Sequence, residues 1–427
     1  MLQNGQTRLV AKGCALALAI ASFSAPVAAQ EQPVYSMDDE FRASVEALRL
    51  SFGAGDAAGT QQNAQALLAR ADQPFEKYAA AELMFQAATA RWDVVAQRTA
   101  LKAVLESGAA PPSRVPRLRA IAGILSLMVG ENKDSIAQIS QANGEGYASV
   151  PSQFALADAK FMRKDPAGGL TAVGQALTLQ AQGGRRPETV EAAWYDRAIA
   201  LAYQAKRFDL VANWTQAKLA IDASAPNWRS GLVNYMTGAV PGPDQSLDLY
   251  RLMAATDAIA SERDWLAYSA VAVEKGYAAE GKAALDTGVK AGDLGAGDPA
   301  VVKSLTTLRP RATQALAAIP GLTAKAKTGT TGAAALTAAD AQFAAAAYPK
   351  AVELYQLALT KGGVDLAHAN TRLGVALARS GDPAGGKAAL ATVTDGPWAP
   401  VASFWNVWID RQSSQLGAAQ SATKPVS

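Results

Sequence analysis

The chain has 427 residues, half of them hydrophobic, with 40 Lys and Arg against 37 Asp and Glu for a formal charge of +3. That near-balance, with no Lys/Arg-rich block, argues against a polyelectrolyte partner, so nucleic acid binding is not indicated. One cysteine, Cys14, rules out an intrachain disulfide framework.

The first element in chain order is an export signal. Arg8 and Lys12 form a short basic region, and Ala15 to Phe23 is an apolar run of secretory-signal length. The small residues Ser24-Ala25-Pro26-Val27-Ala28-Ala29 follow, so residues 1–29 read as a signal peptide cleaved after Ala29. The apolar run is well below the ~20 residues of a membrane span, and no later stretch reaches that length. The Ala11-Lys12-Gly13 before Cys14 does not suit a lipid-attachment box. A periplasmic or secreted protein is expected. Its mature form carries no cysteine and has 38 basic residues against 37 acidic ones.

Residues 30–37 are polar and small, and are expected to be disordered. The rest breaks into helix-length segments divided by Gly, Pro, Asp or Asn. Helices are predicted over 38–52, 60–71, 75–90, 92–107, 114–129, 133–142, 152–163, 167–181, 188–205 and 208–222. They continue over 227–238, 245–258, 262–275, 278–290, 299–317, 333–346, 350–361, 366–379, 383–393 and 399–412. No segment alternates with period two for long enough to suggest a sheet. Alanine, the best helix former, dominates, and it is small enough for tight helix crossings. The longest break, Leu322 to Gly332, is a candidate hinge between a hairpin region at 38–321 and a C-terminal region at 333–395. The stripe Trp398, Val401, Trp405 and Trp408, with Phe404 beside it, suits a capping helix at 396–413. The polar tail 414–427 is expected to be disordered.

Residues 276–285, GYAAEGKAAL, return at 381–390 as GDPAGGKAAL, seven of ten identical and 105 residues apart, three times 35. Asp165 to Gly169 repeats Asp382 to Gly386 letter for letter. From Trp265, a large residue, a pair, a large residue and a turn glycine appear as Trp265, Tyr268-Ser269, Ala272 and Gly276. Gly281 and Leu285 follow in the second helix. In the last repeat the same places hold Asn370, Leu373-Gly374, Leu377, Gly381, Gly386 and Leu390. Tyr348, Ala351, Tyr355 and Ala358 fit the second helix before it. A small residue facing a large one lets antiparallel helices approach closely.

These residues resemble the tetratricopeptide repeat (TPR) family, over roughly a third of the chain. The resemblance implies an all-α, right-handed α-α superhelix of helical hairpins, with a concave groove that holds a peptide or protein partner. By the family's geometry Arg263, His368, Thr371, Arg372 and Arg379 would line that groove, where arginine suits carboxylates and backbone carbonyls.

Several constellations invite a chemical reading. Gly276 with Gly281-Lys282, and Gly381 with Gly386-Lys387, spell the phosphate-loop skeleton. Yet Ala283 and Ala388 replace its Ser/Thr, and no strand precedes it, so a packing role is expected. Glu106-Ser107 matches the catalytic dipeptide of lytic transglycosylases, but Gly108-Ala109-Ala110-Pro111 marks a helix stop and leaves the acid facing solvent. His368, the only histidine, offers no metal set without cysteine and is expected on the surface or the groove wall. Trp92, Trp194, Trp214, Trp228 and Trp265 are expected in the core. No cofactor or metal is implied.

Two function classes remain. The favoured one is a non-enzymatic, exported scaffold or adaptor for a protein or peptide partner, in cell-envelope assembly or secretion. The alternative is an envelope enzyme or enzyme subunit acting on peptidoglycan or polysaccharide, with the solenoid positioning the glycan.

Overall fold

The computed structural model describes residues 36–183 and 188–422, with side chains omitted for 188–191 and 415–422. The signal peptide and most of the 30–37 tail fall outside these residues. The described residues form twenty helices and no strand, one helix for each predicted segment. The chain divides after Pro111 into two compact units.

The first unit holds α1 (Asp39–Gly53), α2 (Ala57–Ala69), α3 (Pro74–Ala90) and α4 (Val94–Glu106). Successive helices pack on one another around Phe41, Val45, Leu67, Leu83 and Met84. Glu76, in the first turn of α3, accepts from the backbone N–H groups of Asp38, Asp72 and Gln73, each at 3.1 Å. It thus fixes the start of α1 to the start of α3. Those backbone donors hold the Glu76 carboxyl below its ordinary pKa.

The second unit opens with the hairpins α5 (Val115–Met128) and α6 (Asn132–Gly144), then α7 (Val150–Met162) and α8 (Pro166–Gln182). It continues with α9 (Glu188–Gln204), α10 (Phe208–Ile221), α11 (Ala225–Ala239), α12 (Pro243–Ala255), α13 (Glu262–Glu274) and α14 (Ala278–Ala291). The long α15 (Pro299–Thr328) is followed by α16 (Ala333–Ala344), α17 (Tyr348–Lys361), α18 (Leu366–Arg379), α19 (Pro383–Leu390) and α20 (Ala399–Ala422).

A recurring turn joins the two helices of many hairpins. Gly55, Trp92, Gly130, Lys164, Lys206, Gly276, Ala346 and Gly381 all have left-handed φ, between 56° and 94°. Each immediately precedes the residue that opens the next helix. Where that residue is Asp56, Asp93, Asp165 or Asp382, its carboxylate accepts from the N–H three residues on, at 2.8–3.0 Å. Trp92 therefore sits in an exposed turn rather than in the core. Trp228 and Trp265 are buried, while Trp194 and Trp214 are half-buried.

The paired glycines close the hairpins. A Cβ at Gly281 would lie 2.9 Å from the carbonyl oxygen of Ser269, and one at Gly386 would lie 2.7 Å from that of Gly374. Both contacts span twelve residues, and their partners are themselves 105 residues apart. Lys282 pairs with Asp286 and Lys387 with Asp410, each at 2.5 Å, so neither lysine is aimed at a phosphate cradle. Glu106 ends α4 in solvent, 3.7 Å from Lys102.

Two stretches differ from the predicted boundaries. Helix α15 runs through Pro310 and Pro320, so residues 322–328 of the expected hinge are its last turns. Val301, Leu308, Ala312 and Ala326 are buried along it, which offsets the hydrogen bonds that proline removes. The Lys361 ammonium then donates to the carbonyls of Ala326, Lys327 and Gly329 at 2.6–3.0 Å, capping the helix end. Helix α20 extends to Ala422, into the stretch expected as a disordered tail. Trp398, in the turn before it, and its Val401, Phe404, Trp405 and Trp408 are buried, and the helix packs against α18 and α19 but also against α10 and α12. Ser403 Oγ donates to Gln216 Oε1 at 2.7 Å, and the Arg411 guanidinium donates to the carbonyls of Leu219 and Ala220. The second unit thus returns on itself through its last helix.

Candidate ligand groove

An ion network lies inside the second unit, built by residues from α12, α14, α16 and α18. Arg251 grips Glu280 with two parallel hydrogen bonds of 2.7 Å and reaches Asp248 at 3.1 Å. Asp248 accepts on its other oxygen from Arg372 Nε at 2.9 Å. Arg372 Nη1 lies 2.8 Å from Asp340, an ion pair off the line of a hydrogen bond. Tyr355 donates to Asp340 at 2.7 Å and Tyr268 to Glu280 at 2.9 Å. His368 Nε2 stands 3.2 Å from the same Asp340 oxygen, and the imidazole stacks on Trp398 at 5.0 Å.

Burial by itself would push the Asp340 carboxyl up, but Arg372 and the His368 and Tyr355 hydrogen bonds hold it well below the usual carboxylate range. Burial raises the phenols of Tyr268 and Tyr355, and lifts that of Tyr277 to about 12. For both arginines desolvation opposes the charge and the facing carboxylates outweigh it, leaving each guanidinium above its ordinary value. Asp340, Arg251 and Arg372 are thus each held in their charged form at neutral pH.

A cavity of about 520 Å³ opens beside this network. Trp265, Tyr268, Phe343, Tyr348 and Trp405 supply aromatic walls, and Ala254, Ala284 and Ala291 keep it wide. The Arg251–Glu280 pair lies at its side. Arg379 lines it too, exposed, with its guanidinium 5.6 Å over Tyr348 and 5.0 Å over Trp408. The Trp405 indole N–H is buried and has no hydrogen-bond partner. A donor left so costs about 1–3 kcal/mol.

The five sequence-predicted groove residues separate. Arg379 alone lines the cavity. Arg372 and Thr371 are fully buried, and Arg372 is committed to Asp248 and Asp340, so neither faces an open surface. His368 is half-buried against Trp398, and Arg263 is exposed at the start of α13. Arg251, Asp248, Glu280 and Asp340 were not singled out from sequence. A signal existed for two of them: Asp248 and Arg251, one helical turn apart, are interleaved with Leu247, Leu249, Leu252 and Met253. Among the described residues no His/Cys/Asp/Glu group could hold a metal ion, and no helix is long and apolar enough to cross a membrane.

No protein-family model matches the chain, and neither does any curated protein. Among solved structures, a tetratricopeptide repeat protein from Parabacteroides merdae is similar at 12% identity and TM-score 0.33, over 71% of this chain and 99% of that one. The TPR2AB domain of yeast Sti1 in complex with pHSP90 is similar at 12% identity and TM-score 0.25, over 71% and 97%. The TPR domain of P58(IPK) is similar at 13% identity and TM-score 0.22, over 80% and 98%. At such scores the all-helical, hairpin-built fold rests on this chain's own helices.

Proposed function

We propose that this chain is a non-enzymatic binding protein whose groove takes a short segment of a protein partner, one bearing an apolar side chain beside a carboxylate. The observation that carries this is the pairing, in one cavity, of aromatic walls with the exposed Arg379 and the unpartnered Trp405 N–H. Aromatic and alanine surface would desolvate the apolar side chain. Arginine and indole N–H groups would receive the carboxylate oxygens. Two of the three acids lining the cavity are engaged within the protein: Glu280 is held by Arg251 and Tyr268, and Asp293 accepts from Trp265 Nε1 at 2.9 Å. The signal-like residues 1–29 support an exported protein, and a role in envelope assembly or secretion accords with that address.

Peptide display against the purified protein tests the proposal. Selected peptides should share an apolar residue next to an acidic residue or a free carboxyl terminus. Their binding should be lost in Arg379→Ala and in Thr287→Trp, which fills the cavity, with the melting temperature unchanged. Peptides that bind both variants as they bind the parent would reject the groove.

A further inference from the structure

A second, smaller cavity of about 320 Å³ lies elsewhere in the second unit, among α9, α10 and α11. Its lining repeats with helical spacing. Asp196, Ile199, Ala200 and Tyr203 present one face of α9, and Asn227, Ser230, Gly231 and Asn234 present one face of α11. Thr215 and Lys218, one turn apart on α10, form the floor. Gly231 brings the helices together here, since a Cβ at that position would lie 2.2 Å from the Thr215 methyl.

Two polar groups in the floor are buried without their full set of partners. The Lys218 side chain is 8% exposed, and its ammonium makes one hydrogen bond, to Asp196 at 2.6 Å. An ammonium carries three donors, so two have no protein acceptor. The Thr215 side chain is also buried, and its hydroxyl has no partner at all. Asn227 uses its amide nitrogen on Asp222 and keeps its carbonyl oxygen open, while Asn234 is exposed along the same face.

Because Lys218 and Asp196 neutralise each other, the cavity offers little net attraction to a free anion or cation. It offers instead an alternation of donors and acceptors, with the ring of Tyr203 as an apolar flank. Hydroxyl groups both donate and accept, and a pyranose ring also has an apolar C–H face. We infer that this cavity is a binding site for a neutral saccharide of one or two residues. Sugar hydroxyls would complete Lys218 and Thr215 and bridge to Asn227 and Asn234, with the C–H face against Tyr203. This site is independent of the groove lined by Arg379.

Calorimetry and ligand-observed NMR with glucose, N-acetylglucosamine and maltose, against glucuronate and glycine as charged comparators, test the inference. At least one neutral sugar should bind and outcompete the charged compounds. Its affinity should fall at least about tenfold, or 1.4 kcal/mol, in Asn234→Ala and in Thr215→Val. Arg379→Ala should leave it unchanged. Asn234 is exposed, so its substitution reports on binding even if Thr215→Val perturbs folding. No saturable binding by any of the three sugars, preference for glucuronate or glycine, or sugar binding untouched by Asn234→Ala would overturn the inference.

Discussion

Lys164 holds the left-handed backbone at φ 62° that Gly381 holds at 94° in the equivalent turn, and the two turns are followed by the identical residues Asp-Pro-Ala-Gly-Gly. A side chain in that conformation crowds its own carbonyl, a strain that glycine lacks. Lys164→Gly should therefore stabilise the protein by about 1 kcal/mol, read as a higher urea midpoint, because relief of strain exceeds the added chain entropy. A lower midpoint would mean that the turn is not strained. Replacement of glycine at this turn is one reason the resemblance in sequence covers only about a third of the chain. Trp92, Lys164, Lys206 and Ala346 occupy this turn position, which Gly55, Gly130, Gly276 and Gly381 fill elsewhere, so glycine spacing alone does not trace the repeat along the chain. The residues of the groove face were less legible still. Spacing placed Arg372 and Arg379 on one helix seven residues apart, but could not tell which carboxylates the distant α12 and α16 would bring to Arg372. The two arginines should separate by experiment. Arg372→Ala leaves Asp248 and Asp340 buried beside a lost cation and should cost about 3–5 kcal/mol in a denaturant melt. Arg379→Ala should leave the melt in place. Equal effects on stability would contradict the burial of one and the exposure of the other.

Helices α12, α16 and α18 come from separate hairpins, and the ion network ties them through Asp248, Asp340 and Arg372. Helix existence followed from apolar period and turn chemistry, which are local. The pairing of α18 with α12 spans more than a hundred residues, and no local pattern carries it. Asp340 gives this tie a pH dependence whose sign is fixed. Its carboxyl is depressed in the folded state, so its stabilisation is present above the ordinary aspartate pKa of about 4 and is lost as pH falls below it. The difference in urea midpoint between the parent and Asp340→Asn should be large and constant from pH 7 to pH 5. Below about pH 4 it should shrink, because the unfolded chain takes up a proton that folded Asp340 resists. A difference that stays constant down to pH 2.5, or grows, would mean that Asp340 is not held by Arg372 and its hydrogen-bonding neighbours.

At the scale of the second unit the last helix decides whether the hairpins end open or closed. The tryptophan stripe of α20 was legible as a buried face, because Trp398, Val401, Trp405 and Trp408 recur at three or four residues. What it covers was not legible. A cap for the last repeat needs contact with α18 and α19 alone, whereas Ser403 and Arg411 reach α10 and Phe404 meets Tyr235 of α11 at 5.7 Å. Trp405 moreover forms a wall of the groove, so closure and the candidate binding site depend on one element. Burying Trp398, Phe404, Trp405 and Trp408 at ~150–250 Å² each, at ~25 cal/mol/Å², contributes on the order of 15–25 kcal/mol before entropy costs. A chain ending at Gly396 should lose the cooperative melt of the second unit and bind a hydrophobic dye. A chain ending at Ser414 keeps every one of these contacts and should melt as the parent does. A chain ending at Gly396 that melts like the parent would show that α20 is an appendage and that the hairpins stand without it. Groove ligands should then bind it more weakly, since Trp405 and its N–H are gone while the walls from α12, α13, α14, α16, α17 and α18 remain.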